Sequence, residues 1–214
     1  MSSAIINGKE IGAEIRKSVE KRVTALKEKG ITPGLAVILV GDNPASKTYV
    51  ANKQASCEAI GMYSALIKLP EDISEKALLE QIRELNVRAD IHGILVQLPL
   101  PKHIDENAVI ATISPEKDVD GFSPISVGKM MLGQETYLPC TPYGVMKLLE
   151  HSGIEVSGKH AVIVGRSHIV GKPMGQLLLQ KDATVTYTHS KTNDLASYTK
   201  QADILIAAVG RPKF

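Results

Sequence analysis

"AVIVGRSHIVGKPMGQLLL" (Ala161–Leu179) decides how the chain folds. The β-branched run Ala161–Val164 stops at Gly165. A short polar turn follows, then Gly171, Pro173 and an apolar helical pattern at Met174, Leu177 and Leu178. The order is strand, turn, helix. Proline suits a first helical turn, where its missing N–H costs nothing. Glycines let backbone approach a ligand closely, and the bare N–H groups of a helix start favour a phosphate. The glycines Gly165, Gly171 and Gly175 do not match the G-x-G-x-x-G dinucleotide spacing. They do not match the phosphate-loop motif either, because Pro173 stands where a hydroxyl is needed. From these residues, a bare βα turn and a nucleotide loop both stand open.

Downstream, "ATVTYT" (Ala183–Thr188) reads as a strand, Asn193–Gln201 as a helix and "ADILIAAVG" as a strand over Asp203–Val209. Upstream, Thr141 is expected to cap a helix over Pro142–His151 with the stripe Val145, Leu148 and Leu149. NAD sites carry a carboxylate at the end of the second strand, where it meets the ribose 2′-hydroxyl. Here that strand runs into "THSKT", which offers Ser190 and Lys191, and Arg166 directly follows Gly165. Hydroxyls and cations there suit a 2′-phosphate, so the expected cofactor is NADP. A surface arginine and a helix cap would explain the same residues.

The first half repeats the alternation. Ile11, Ile15, Val19, Val23 and Leu26 recur at helical spacing within Lys9–Lys29. "LAVILVG" (Leu35–Gly41) is a buried strand, Pro44–Gly61 a helix and "YSALIKL" (Tyr63–Leu69) a strand. Ser74 caps a helix to Val87, with Ala77, Leu78, Ile82 and Leu85 as its stripe. "HGILVQLPLP" is a third strand, cut off by Pro99 and Pro101, and His103–Ile113 is helical. Ser114–Pro124 and Tyr137–Gly144 are loops. Strands alternating with long helices predict an α/β protein with parallel sheets. The expected division is two domains: residues 1–140, a βαβ parallel-sheet substrate domain, and residues 141–214, a Rossmann-like nucleotide domain with only three strands. Ligands collect beyond the carboxyl ends of such strands, which selects Gly41–Asn43 and Gln97–Pro99.

Composition narrows the function classes. The net charge of +2 over 214 residues argues against a nucleic-acid binder that relies on a broad basic field. No tryptophan is present and aromatics make up 4%, so the core is aliphatic. Cys57 and Cys140 form no metal motif and read as two reduced thiols. The N-terminus carries no signal-peptide pattern, and the apolar runs are too short to span a bilayer. A cytoplasmic protein without membrane or nucleic-acid partners is expected.

Several residues could carry chemistry. Tyr49 and Lys53 share a helix face at four-residue spacing, with Ser46 and Ser56 expected on the same side. A Tyr–Lys pair can polarise a substrate oxygen or position water, though a solvated face is the ordinary reading. Gln97 stands at the end of an apolar strand, as a strand-end amide or a partner inside a cleft. Asp118 and Asp120 in "KDVDGF" could pair on a metal, but no cluster supports one and turn chemistry suffices.

Seven segments in order resemble the bifunctional methylenetetrahydrofolate dehydrogenase/cyclohydrolase family. They are "SKTYVANKQASCEAIG", "GILVQLPLP", "PEKDVDGFSP", "LPCTPYGVMKLL", "AVIVGRSHIVGKPM", "ATVTYTHSKT" and "ADILIAAVGRP". The resemblance implies oxidation of 5,10-methylenetetrahydrofolate with hydride passing to NADP⁺, then hydrolysis to 10-formyltetrahydrofolate, without a metal. It implies that Lys53 activates or orients water, Tyr49 packs on the folate ring, Gln97 hydrogen-bonds Lys53 and Asp120 anchors the pterin. Gly165, Arg166, Ser167 and Ser190 would hold NADP. Tetrahydrofolate one-carbon derivatives are the implied partners, and a homodimer through the nucleotide domain the implied assembly. Family members continue past the point where this sequence stops. As written, the nucleotide domain is therefore expected to be incomplete, and a folate-binding or dimerising remnant without turnover is the alternative.

Overall fold

The computed structural model describes residues Ala4–Arg211. The chain forms two compact units, one over Lys9–Val119 and one holding residues 120–211 with residues 4–8. A helix not expected from the sequence, Pro124–Met131, lies between this point and the expected division at 140/141.

The first unit contains most of α1 (Gly8–Lys27), then β1 (Gly34–Val40), α2 (Pro44–Ala59), β2 (Tyr63–Leu69), α3 (Glu75–Val87), β3 (Gly93–Val96) and α4 (Glu106–Thr112). The strands are parallel in the order β2-β1-β3, with Ala36 facing Ala65 on one side and Ile94 on the other. β1 is central, which is why it reads as an unbroken apolar run. Its alternate residues split between two layers. Ala36, Ile38 and Val40 pack with Leu78, Ile82 and Leu85 of α3 and Val109 of α4. Val37 and Leu39 pack with Val50 of α2. Ala77, expected in the α3 stripe, is exposed, and Leu79 packs against the core in its place. Helix ends follow their side chains: the Asn43 carboxamide accepts from Ser46 N–H at 3.1 Å and the Ser74 hydroxyl from Ala77 N–H at 3.3 Å.

Cys57 of α2 is buried, and burial, with Glu58 nearby, pushes its thiol above the ordinary range. The unfolded thiol loses its proton above about pH 8.5, while the folded one keeps it. The folded state then binds more protons, so stability falls as pH rises from there through the folded value. Denaturant melts between pH 7.5 and 9.5 should show this decline, and Cys57→Ala should flatten it.

The second unit contains α5 (Pro124–Met131), α6 (Cys140–His151), β4 (His160–Val164), α7 (Gly171–Leu179), β5 (Thr184–Thr188), α8 (Leu195–Thr199) and β6 (Ile204–Ala207). α5 is the unexpected helix. Ser123 caps it by accepting from Ser126 N–H at 3.0 Å, and Pro124 sits just inside the cap. That Ser-Pro pair is the signal that marks it. Met130 is buried, and its carbonyl accepts from Gln180 Nε2 just past α7, so α5 belongs to this unit. Thr141 is not a cap: α6 starts at Cys140 after Pro139, with no side-chain cap bond.

The sheet order is β5-β4-β6, all parallel. Ala161 and Ile163 of β4 pack with Met174 and Leu178 of α7, Leu149 of α6 and Ile204 of β6. In each unit the chain therefore passes from one side of its first strand to the other before the third strand. Such a reversal opens a crevice at the carboxyl ends of the first and third strands, where α/β proteins bind ligands. The crevices lie beyond β1 and β3 in one unit and beyond β4 and β6 in the other. Among the described residues, no helix is long and apolar enough to cross a membrane.

Candidate active site and nucleotide loop

In the first unit, Gly41, Asp42, Asn43, Glu71, Pro99 and Leu100 line a hollow of about 380 Å³ at the carboxyl ends of the strands. It joins both segments expected from the sequence, with Glu71 after β2 as an addition. Gln97 leaves β3 here, its backbone N–H bonded to Ile38 O of β1 at 2.9 Å. Its side-chain Nε2 donates to Leu98 O at 2.7 Å, so its Oε1 points the other way. Lys53 of α2 donates from Nζ to that oxygen at 3.0 Å. Residues 44 apart in sequence thus meet at the switch point, and both are half-buried. A lysine steered by an amide, with one face toward solvent, can hold a water molecule or move its proton.

Tyr49 lies one turn before Lys53 on α2 and is 62% exposed, so its ring presents an open apolar face. The expected grouping of Ser46 and Ser56 beside this pair does not form. Ser46 is buried within the first turn of α2, and Ser56 is exposed. Asp118 is buried and forms a parallel bridge with Ile94, while Ile94 N–H donates to Lys117 O at 2.8 Å. Lys117 Nζ in turn bonds Leu85 O and Arg88 O. "KDVD" is thus tied to β3 and α3 up to Val119. Asp120, half-buried, opens the second unit. No group of three or more His, Cys, Asp or Glu comes together among the described residues.

In the second unit the opening stretch forms strand, loop and helix. Gly165 has φ +132°, and a Cβ there would lie 2.4 Å from Ala208 O in the turn after β6. A Cβ on Gly171 would lie 2.7 Å from the Gly165 carbonyl carbon and 2.8 Å from Arg166 N. Both glycines are thus demanded by close backbone approach at the switch point. Ser167 Oγ accepts from Val170 N–H at 3.2 Å and Gly171 N–H at 3.1 Å, which caps the start of α7. Its hydroxyl proton remains available to a ligand. Among the described residues, the N–H groups of Arg166, Ser167, His168 and Ile169 have no acceptor. Four free donors at a helix start form a cradle for an anion.

Register places the remaining residues. Val164 pairs with Thr188, so Arg166 and Ser190 each stand two positions beyond adjacent, level strands. Both are exposed. The turn after β5 is closed by Thr192, whose Oγ1 accepts from His189 N–H at 2.9 Å and whose N–H donates to His189 O at 2.8 Å. That turn holds Ser190 and Lys191 on a fixed backbone. His168, not singled out from the sequence, takes a contact from Lys172 Nζ at 3.4 Å and adds to this polar rim. A cleft of about 640 Å³ between α6 and the end of α7 borders residues just before β4 and β5. It lies at the amino ends of the strands and is therefore not the nucleotide crevice.

Two family models match the chain. Residues 6–120 match the tetrahydrofolate dehydrogenase/cyclohydrolase catalytic domain, and residues 139–214 match the NAD(P)-binding domain of the same family. The chain is 81% identical to the bifunctional protein FolD of Lysinibacillus sphaericus, over all of this chain and 75% of that protein. The crystal structure of the bifunctional methylenetetrahydrofolate dehydrogenase/cyclohydrolase FolD of Campylobacter jejuni superimposes with a TM-score of 0.96 at 50% identity. The match covers 98% of this chain and 74% of that one. The Trypanosoma brucei enzyme, solved with NADP cofactor and an inhibitor, gives a TM-score of 0.94 at 38% identity, covering 99% and 74%. The amide-steered lysine and the anion cradle thus fall in the two domains that the family models describe, and the chain belongs to the tetrahydrofolate dehydrogenase/cyclohydrolase family.

Proposed function

We infer that the chain oxidises 5,10-methylenetetrahydrofolate to the methenyl form with NADP⁺ and hydrolyses that product to 10-formyltetrahydrofolate. The observation that carries this reading is the Lys53–Gln97 hydrogen bond at the switch point of the domain matched to the family's catalytic model. In the first step a hydride leaves the methylene carbon, which becomes a cationic carbon shared by two nitrogens. NADP⁺ supplies the hydride acceptor when bound. In the second step water adds to that carbon, one carbon–nitrogen bond breaks and a proton is released.

Lys53 would hold the attacking water and pass on its proton, with Gln97 fixing the direction of the ammonium. Tyr49 would stack on the folate ring through its exposed face. Asp120 would anchor the pterin by accepting from its N–H groups. In the second unit, Gly165 and the free N–H groups that follow it would hold phosphate, with Ser167 donating its hydroxyl. Arg166 and Ser190 would meet the 2′-phosphate, a pairing that favours NADP over NAD. A homodimer in the cytoplasm is the assembly that accompanies this reading; light scattering in solution tests the dimer. The relatives bear the names of bifunctional enzymes, which favours turnover over a folate-binding or dimerising module.

The deciding experiment is a pair of assays on the purified chain. Reduction of NADP⁺ with methylenetetrahydrofolate and loss of methenyltetrahydrofolate are both expected, with NAD⁺ a poorer acceptor. Folate binding with no turnover of either substrate would instead establish the module.

A further inference from the structure

Gly175 sits in the middle of α7, buried, where alanine would be the better helix former by about 1 kcal/mol. A Cβ at that position would lie 2.3 Å from the hydroxyl oxygen of Tyr187 and 2.4 Å from its Cζ. The glycine therefore exists to let the Tyr187 ring of β5 lie against the helix backbone. From there the Tyr187 hydroxyl donates to Lys172 O at 2.8 Å, in the first turn of α7. Lys172 N–H in turn donates to Ser167 O at 3.0 Å, across the base of the loop. At the other end of the loop, Gly165 N–H donates to Thr188 O at 2.9 Å. Two consecutive residues of β5 thus grip the loop at both ends: Thr188 where it leaves β4, and Tyr187 where it enters α7.

We propose that Tyr187, admitted by Gly175, is a positioning residue for NADP⁺: acting through Lys172, it sets the loop that carries the four free N–H donors. The proposal rests on the nucleotide reading of that loop. The hydroxyl touches no ligand. It holds the start of α7 level with the end of β5, and so keeps the N–H cradle in line with Ser190 on the next turn. Without it, Lys172 O keeps its helical bond but the first turn loses its tie to the sheet.

The test is calorimetric titration of the full chain with NADP⁺, alongside thermal melts without ligand. Tyr187→Phe keeps the ring over Gly175 and removes only the hydroxyl. NADP⁺ binding about fivefold to tenfold weaker is expected, with folate affinity unchanged. Gly175→Ala/Tyr187→Val removes both the ring and its need for glycine. In this double variant the alanine offsets part of the lost ring packing, so it should still melt cooperatively, yet bind NADP⁺ as weakly as Tyr187→Phe. Parent-like NADP⁺ affinity in either variant would overturn the proposal. If the parent chain itself fails to bind NADP⁺, the nucleotide reading falls first, and the proposal with it.

Discussion

Lys53→Met is expected to slow methenyltetrahydrofolate hydrolysis about a hundredfold or more, the range set by losing a positioned proton-transfer group. The substitution keeps an unbranched side chain of similar length and removes the ammonium that Gln97 Oε1 accepts. Hydride transfer needs no proton moved at that site, so NADP⁺ reduction should persist in Lys53→Met, measured beside the hydrolysis under the same conditions. Gln97→Ala should fall between the two, because it frees Lys53 to swing without removing its charge. Equal loss of both reactions in Lys53→Met would point to a binding role for the lysine. Unimpaired hydrolysis would remove it from the mechanism.

Gly165→Ala is expected to be the most damaging single substitution in the second unit, at about 3 kcal/mol or more. Two costs coincide. The φ of +132° is a region that L side chains rarely adopt, and the new Cβ would lie 2.4 Å from a backbone oxygen, Ala208 O. Neither can relax cheaply, because Gly165 N–H is bonded to Thr188 O and Ala208 N–H to Val164 O at 2.8 Å. Gly158→Ala is the matched control. Its φ is +71° with nothing within 4 Å, so only the left-handed backbone cost of about 1–2 kcal/mol applies. Thermal melts should separate the two clearly, and Gly165→Ala should also lose NADP⁺ binding. Equal melting temperatures would mean that the loop gives way, and that close approach does not govern this turn.

Much of this was legible in the residues because it is local. The apolar run Leu35–Val40 identifies the central strand, since only a strand covered on both faces can be apolar throughout. Ser74 announces the start of α3 by the cap chemistry itself. What stayed hidden depends on contacts between distant segments. Thr141 has the composition of a cap, yet α6 begins a residue earlier, after a proline that bonds nothing with its side chain. α5 carries its Ser-Pro signal, but its place in the second unit is set by Gln180, far along the chain. Ser46 and Ser56 share a nominal face with Lys53, but only packing tells that one is inside and the other outside. The sequence marks Ser167 as a nucleotide contact without showing what else it does. Its oxygen is occupied with capping α7, which restricts it to donating. Gly175 carries no meaning in sequence until Tyr187 is seen against it.

The shared strand order also has a consequence for how the chain acquires its structure. In each sheet the first strand to be made is the middle one, and it is flanked only after two more strands have followed. β1 stays open along one edge until Gly93–Val96 arrives, and β4 until Ile204–Ala207 does. On the ribosome, the first sheet can close while the second is still being synthesised, because all its strands precede residue 97. The central strand of each unit is therefore the one that waits longest for its last neighbour, and that interval is when the nascent chain is most exposed to wrong partners.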